Sequence, residues 1–87
     1  MSKKKIILVI NCPDKAGIIA AVSTFLFKRK FNILESSQYK DSKNNQFFMR
    51  VCFTNLDNIK IISLNNLKKD FLNISKKYNM DFSFFDM

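Results

Sequence analysis

The side chains able to do chemistry in this chain are few. Cys12 and Cys52 stand alone, without CxxC spacing, and histidine is absent, so neither a zinc site nor a cysteine–histidine nucleophile pair can be assembled. Nothing near Cys12 in the sequence would lower its thiol pKa, and a small, half-buried filler is the role its surroundings imply. No metal or other cofactor is expected. Arg50 can hold an anion on a sheet face, pair with Glu35 or stay solvated. What remains is a backbone feature: residues 11–19 read NCPDKAGII and contain the single proline and the single glycine of the chain, Pro13 and Gly17.

A stretch of this kind suits binding better than catalysis. Pro13 stiffens the entry to a loop and offers no N–H, while Asp14, three residues before Gly17, can accept from free amides of a first helical turn. Gly17, without a side chain, lets another group approach the helix start. Unpaired amides at the positive end of a helix dipole make a pocket for a carboxylate. For an isolated D-x-x-G the better explanation is Asp14 as a helix cap and Gly17 as relief for packing between helix and strand.

Such a loop needs a strand before it and a helix after it. Residues 5–11, KIILVIN, are a short apolar run rich in β-branched side chains, which predicts a strand buried on both faces. From Ala16 to Lys30, Ile18, Val22 and Phe25, with Ile19 and Leu26, recur at helical spacing, and Lys28, Arg29 and Lys30 gather where the dipole favours cations. Residues 32–41, NILESSQYKD, predict a second strand, and 41–45, DSKNN, a turn whose asparagines tolerate left-handed backbone. In 46–54, QFFMRVCFT, Phe47, Met49, Val51 and Phe53 alternate with Phe48, Arg50, Cys52 and Thr54, the pattern of a third strand. Residues 55–63 are a connection without a predicted conformation. Ser63 can cap a second helix whose stripe is Leu64, Leu67, Phe71, Ile74 and Tyr78. Residues 80–86, MDFSFFD, predict a last strand whose Phe82, Phe84 and Phe85 need cover from another domain or subunit.

The resulting order, β-α-β-β-α-β, defines an α+β, ferredoxin-like βαββαβ sandwich: a four-stranded antiparallel sheet with two helices on one face. Right-handed crossovers put the first and third strands in its centre. The chain has 87 residues, 47% hydrophobic and 25% charged, which is the balance of one globular domain. Its formal charge of +8 favours anionic partners and equally reflects a lysine-rich composition that keeps a small protein soluble. RNA-recognition domains share this topology and stack bases on aromatics of the central strands, where Phe47 or Phe48 could serve. However, IILVI carries no aromatic and no glycine-spaced signature accompanies FFMRVCF, so nucleic acid is not the expected partner. The apolar run after Lys5 is too short for a signal peptide, and no segment is long enough to span a membrane; a cytoplasmic location is expected.

The run CPDKAGIIAAVSTFLFKRKFNILESSQYKD followed by QFFMRVCF resembles the amino-terminal ACT domain of formyltetrahydrofolate deformylases, and YNMDFSFFDM is similar to the end of that domain. The resemblance covers nearly the whole chain as one ACT domain, residues 1–87. CPD-x-x-G-I by itself marks only an ACT-like module, whereas FFMR after an NI-containing second strand is more particular to the deformylases. Asn44 and Asn45 stand where relatives often place a glycine, a change that left-handed asparagine absorbs. The resemblance implies a regulatory domain that binds an amino acid, methionine or glycine, and forms a side-by-side homodimer. Its pocket wall would be Asn11, Cys12, Pro13, Asp14, Lys15, Ala16, Gly17 and Ile18, with Asn32, Ile33 and Leu34 approaching across the dimer. Asp14 would receive the ligand ammonium or only cap the helix. The family enzyme hydrolyses 10-formyltetrahydrofolate to formate and tetrahydrofolate, for purine biosynthesis, in a separate carboxy-terminal domain. That catalytic domain is absent from these 87 residues, which are expected to be catalytically inert. A stand-alone ACT amino-acid sensor regulating another protein is the alternative left open.

Overall fold

The computed structural model describes residues 4–55 and 63–86, so the connection expected over 55–63 lies, apart from its ends, outside the described residues. The elements follow the expected order: β1 (Lys5–Pro13), α1 (Ile18–Lys28), β2 (Phe31–Asp41), β3 (Gln46–Asn55), α2 (Leu64–Tyr78) and β4 (Asp81–Asp86). The four strands make one sheet in the order β2-β3-β1-β4, every neighbouring pair antiparallel, with β1 and β3 central.

Alternation decides which side chains meet the helices. Phe47, Met49, Val51 and Phe53 of β3 are all buried, as their spacing predicts. In β1 the buried set is Ile6, Leu8, Ile10 and Cys12, while Val9 is 39% exposed. The expectation that this strand is covered on both faces is therefore wrong. Both helices lie on one side, and among the described residues the other side of β1 has only neighbouring strand residues for cover. Cys12 continues the buried parity and is 2% exposed, not half-buried as its surroundings had implied.

The turn between β2 and β3 is held by Asp41, whose carboxylate accepts from the Lys43 amide at 3.1 Å and the Asn44 side chain at 2.9 Å. Asn45 takes the left-handed conformation, φ 53°, that the missing glycine would otherwise supply. At α2, Ser63 Oγ accepts from the Asn66 amide at 3.3 Å, the expected cap. Leu67, Phe71 and Tyr78 are buried, and Leu64 and Ile74 pack against the same core.

Phe71 is the centre of that core. It is fully buried, and its ring meets Phe25 at 5.1 Å, Phe82 at 4.8 Å and Phe84 at 5.8 Å, all edge to face. Phe84 and Phe82 therefore receive cover from the chain's own α2, and only Phe85, 52% exposed, remains on the open face. There it joins Val9, Phe48 and Tyr39, with Arg50 reaching Glu35 at 4.0 Å across the β2/β3 pair. Phe47, one of the two aromatics able to serve as a base platform, is buried towards the helices instead.

β2 is the exposed edge. A bulge between Ile33 and Glu35 sets Leu34 outward, and from Ser36 to Lys40 the strand is exposed on both faces. Helix cover reaches only its start, where Phe31 and Ile33 join the core.

Candidate functional site

The loop leaving β1 turns into α1 through Gly17, which is itself the helix N-cap at φ 91°, ψ 0°. A side chain rarely adopts that conformation, so the residue is required by the backbone. Helix α1 begins at Ile18, later than the Ala16 the periodicity predicts, and its first intrahelical bond runs from the Ala21 amide to the Gly17 carbonyl at 2.9 Å. The amides of Ile18, Ile19 and Ala20 thus lack intrahelical acceptors, and among the described residues no side chain caps them.

Asp14 is therefore not the cap that D-x-x-G implies. Its own amide donates to the Asn45 carbonyl at 2.8 Å, which pins the loop to the β2–β3 turn. Its carboxylate meets Lys40 Nζ at 2.8 Å. The partner is tertiary: Lys40 stands opposite Phe47 in the sheet register, and Phe47 stands opposite Cys12 at the end of β1. An open cavity of about 470 Å³ lies here, with Asp14, Lys15 and Gly17 at its rim and Ile18, Ile19 and Phe47 beneath.

On the far side of Gly17 lies Tyr78, 8% exposed, with Lys15 and Lys77 ammonium groups 6.0 and 5.5 Å from its ring centre. A Cβ on Gly17 would sit 3.2 Å from the Tyr78 hydroxyl. The glycine backbone is the partition between the loop cavity and a groove of about 530 Å³ between the helices, floored by Phe25 and Ile74.

Of the residues expected to form the pocket wall, Asp14, Lys15, Gly17 and Ile18 line this cavity. Pro13 and Ala16 are exposed on the loop, and Cys12 belongs to the core. Asn11 has the opposite parity to Cys12: it lines a shallow pocket of the open sheet face with Val9, Phe48 and Tyr39, and its Oδ1 is buried with no hydrogen-bond partner among the described residues. Asn32 and Ile33 pair with Thr54 and Phe53, at the end of the sheet away from the loop, so one chain does not bring them or Leu34 to the cavity. Lys40, Phe47 and Tyr78 were not among the expected site residues. Lys40 and Phe47 follow from the hairpin register, and Tyr78 was counted only as part of a core stripe.

The arrangement can hold a small ion. Free amides and Lys15 offer positive potential to a carboxylate, and Asp14 offers a single anionic counterpart. Nucleophilic chemistry at Cys12 is disfavoured, because burial pushes its thiol up from the ordinary value and the Asp14 carboxylate adds to the shift. The folded chain keeps this proton at pH values where the unfolded chain has lost it. Stability from this group is full below the unfolded thiol pKa, about 8.5, and is lost as pH rises through the folded value. Urea titrations from pH 7 to 10 should show that alkaline decline, and the Cys12→Ala chain should show a flatter one; an equally steep decline in both would assign it elsewhere. Among the described residues no group of three His, Cys, Asp or Glu side chains could hold a metal ion, and no helix is long and apolar enough to cross a membrane.

Comparison with known proteins places this geometry in context. A family model, described as ACT domain, matches residues 6–62. The formyltetrahydrofolate deformylase of Bacillus subtilis is 38% identical over 77 residues, which cover 87% of this chain and 25% of that protein. A crystal structure of a formyltetrahydrofolate deformylase from Pseudomonas syringae superposes with a TM-score of 0.87 at 32% identity, covering 99% of this chain and 28% of that one. An ACT domain protein from Streptococcus pneumoniae shares the fold, with a TM-score of 0.80 at 21% identity over 98% of this chain and 91% of its own. The chain spans about a quarter of the length of the curated relatives it matches.

Proposed function

Because the chain belongs to the ACT domain family, we propose that it is the regulatory, amino-acid-binding domain of a formyltetrahydrofolate deformylase. In this reading residues 1–87 form a single ACT domain. The enzyme's reaction, hydrolysis of 10-formyltetrahydrofolate to formate and tetrahydrofolate for purine biosynthesis in the cytoplasm, belongs to a catalytic domain outside these residues. The observation that carries the reading is the uncapped start of α1 behind Gly17, opening on a cavity that also presents Asp14. A zwitterion of the size of glycine or methionine matches both charges: its carboxylate faces the amides and its ammonium faces Asp14.

The second half of the site comes from a second copy. Among the described residues edge strand β2, eleven residues long, has no strand partner on its outer side; its Leu34 is 44% exposed, and on α1 Ile19 is 43% and Phe27 77% exposed. Pairing two β2 strands antiparallel about their middle brings the partner's Asn32–Leu34 segment next to the strand end that carries Lys40, beside Asp14. Ligand held at that seam favours one dimer arrangement over another by its differential affinity, which is how it would act on an attached domain.

Titration calorimetry with methionine and with glycine, alongside sedimentation equilibrium, tests both parts. Saturable heat from one of them and a dimer at micromolar concentration are expected; a chain that stays monomeric and takes up neither would refute the proposal. Phe27→Glu should change unfolding free energy by no more than about 0.5 kcal/mol, as expected of an exposed position. The same change should weaken the dimer at least tenfold.

A further inference from the structure

We propose that Lys40 is a ligand-selecting residue of the loop cavity: its ammonium occupies Asp14 until the ammonium of an amino acid replaces it. The inference rests on the amino-acid-binding reading above. Its basis is the 2.8 Å contact between Lys40 Nζ and Asp14 Oδ2, made beside the cavity that Asp14 borders. The two partners are unequally fixed. Asp14 is held by its backbone bond to the Asn45 carbonyl and its side chain is 24% exposed, whereas the Lys40 side chain is 58% exposed and reaches in from the edge strand. Lysine can therefore withdraw into water while the carboxylate stays in place, and an ion pair this exposed is weak enough to be displaced.

Charge decides which ligands gain. With Lys40 in place Asp14 is neutralised, and the remaining Lys15 and the free α1 amides attract a carboxylate. A ligand carrying both carboxylate and ammonium must exchange its ammonium for that of Lys40 at Asp14, and so binds against a built-in competitor. A carboxylic acid without the amine displaces nothing and profits from the additional nearby cation. Lys40 thus lowers the preference of the site for amino acids over plain carboxylates. Since Lys40 is rooted on β2, each exchange also releases a tie between the loop and the edge of the sheet.

The test is calorimetry on the whole chain and its Lys40→Met and Lys40→Arg variants, with methionine and its des-amino counterpart 4-(methylsulfanyl)butanoate as probes. Lys40→Met should bind methionine about 2- to 5-fold more tightly and the des-amino acid more weakly by a similar factor, the range expected from an exposed pair. Lys40→Arg should resemble the unmodified chain. A shift of both probes in the same direction, or no shift, overturns the role of Lys40 while methionine binding itself survives. Absence of both methionine and glycine binding in all three chains, each shown to be folded by its thermal transition, removes the amino-acid reading and this inference together.

Discussion

Replacing Gly17 by valine is expected to cost about 2 kcal/mol of folding stability and to weaken methionine binding at least tenfold. A left-handed backbone costs an ordinary L-residue about 1–2 kcal/mol, and β-branched side chains suffer more. Gly17 has φ 91°, and its new Cβ would meet the Tyr78 hydroxyl at 3.2 Å, inside ordinary contact distance. Relief of that strain would rotate the peptide leading into Ile18 and turn the free amides away from the cavity. Urea unfolding and calorimetry on the same preparations read the two effects. Gly17→Ala combined with Tyr78→Phe separates their causes, because the double variant keeps the backbone strain and loses the hydroxyl. Full stability with unchanged methionine affinity in the valine variant would show that the loop geometry is incidental.

Truncating Phe71 to alanine should have the largest effect on the fold, about 3–5 kcal/mol. The ring is completely buried and is the common neighbour of Phe25 on α1 and of Phe82 and Phe84 on β4. Its loss opens a cavity where helix layer and sheet meet, and three rings lose an edge-to-face partner at once. A domain of this length holds roughly 4–13 kcal/mol in total, so the variant should be largely unfolded at 37 °C or close to it. Phe85→Ala is the control. That ring is 52% exposed on the open face, and its removal should cost under about 1 kcal/mol. Equal urea midpoints for the two variants would contradict the division into a covered and an open face.

The order of elements was legible because each carries an apolar period, an apolar run or a turn signal at its ends. QFFMRVCFT alternates as far as Val51, beyond which Cys52 and Thr54 are buried along with Phe53; the second helix shows one apolar stripe, and Ser63 and Asn45 mark a cap and a turn by local chemistry alone. The covered side of β1 was harder, since IILVI is apolar at every position and only the placement of both helices on one side exposes Val9. Cys12 could have been assigned to the core by extending the parity of Ile6, Leu8 and Ile10. Asp14 illustrates a different limit. Three-residue spacing from a glycine is a local signal, and it loses here to two distant partners, the Lys40 ammonium and the Asn45 carbonyl. Both arrive through the pairing of β2 with β3 and of β3 with β1, which no local pattern around residue 14 encodes.

Among the described residues the sheet has two free margins of unlike build. One, β2, runs for eleven residues, and the other, β4, for six, with Asp81 and Asp86 at its ends. Joining unlike margins in a head-to-tail row would strand almost half of the longer one without partners at every junction. Joining the long margin to its own twin matches length to length and leaves only the two short margins, each bounded by Asp81 and Asp86. In the proposed dimer, the inequality of the two borders would favour a closed pair over an endless ribbon.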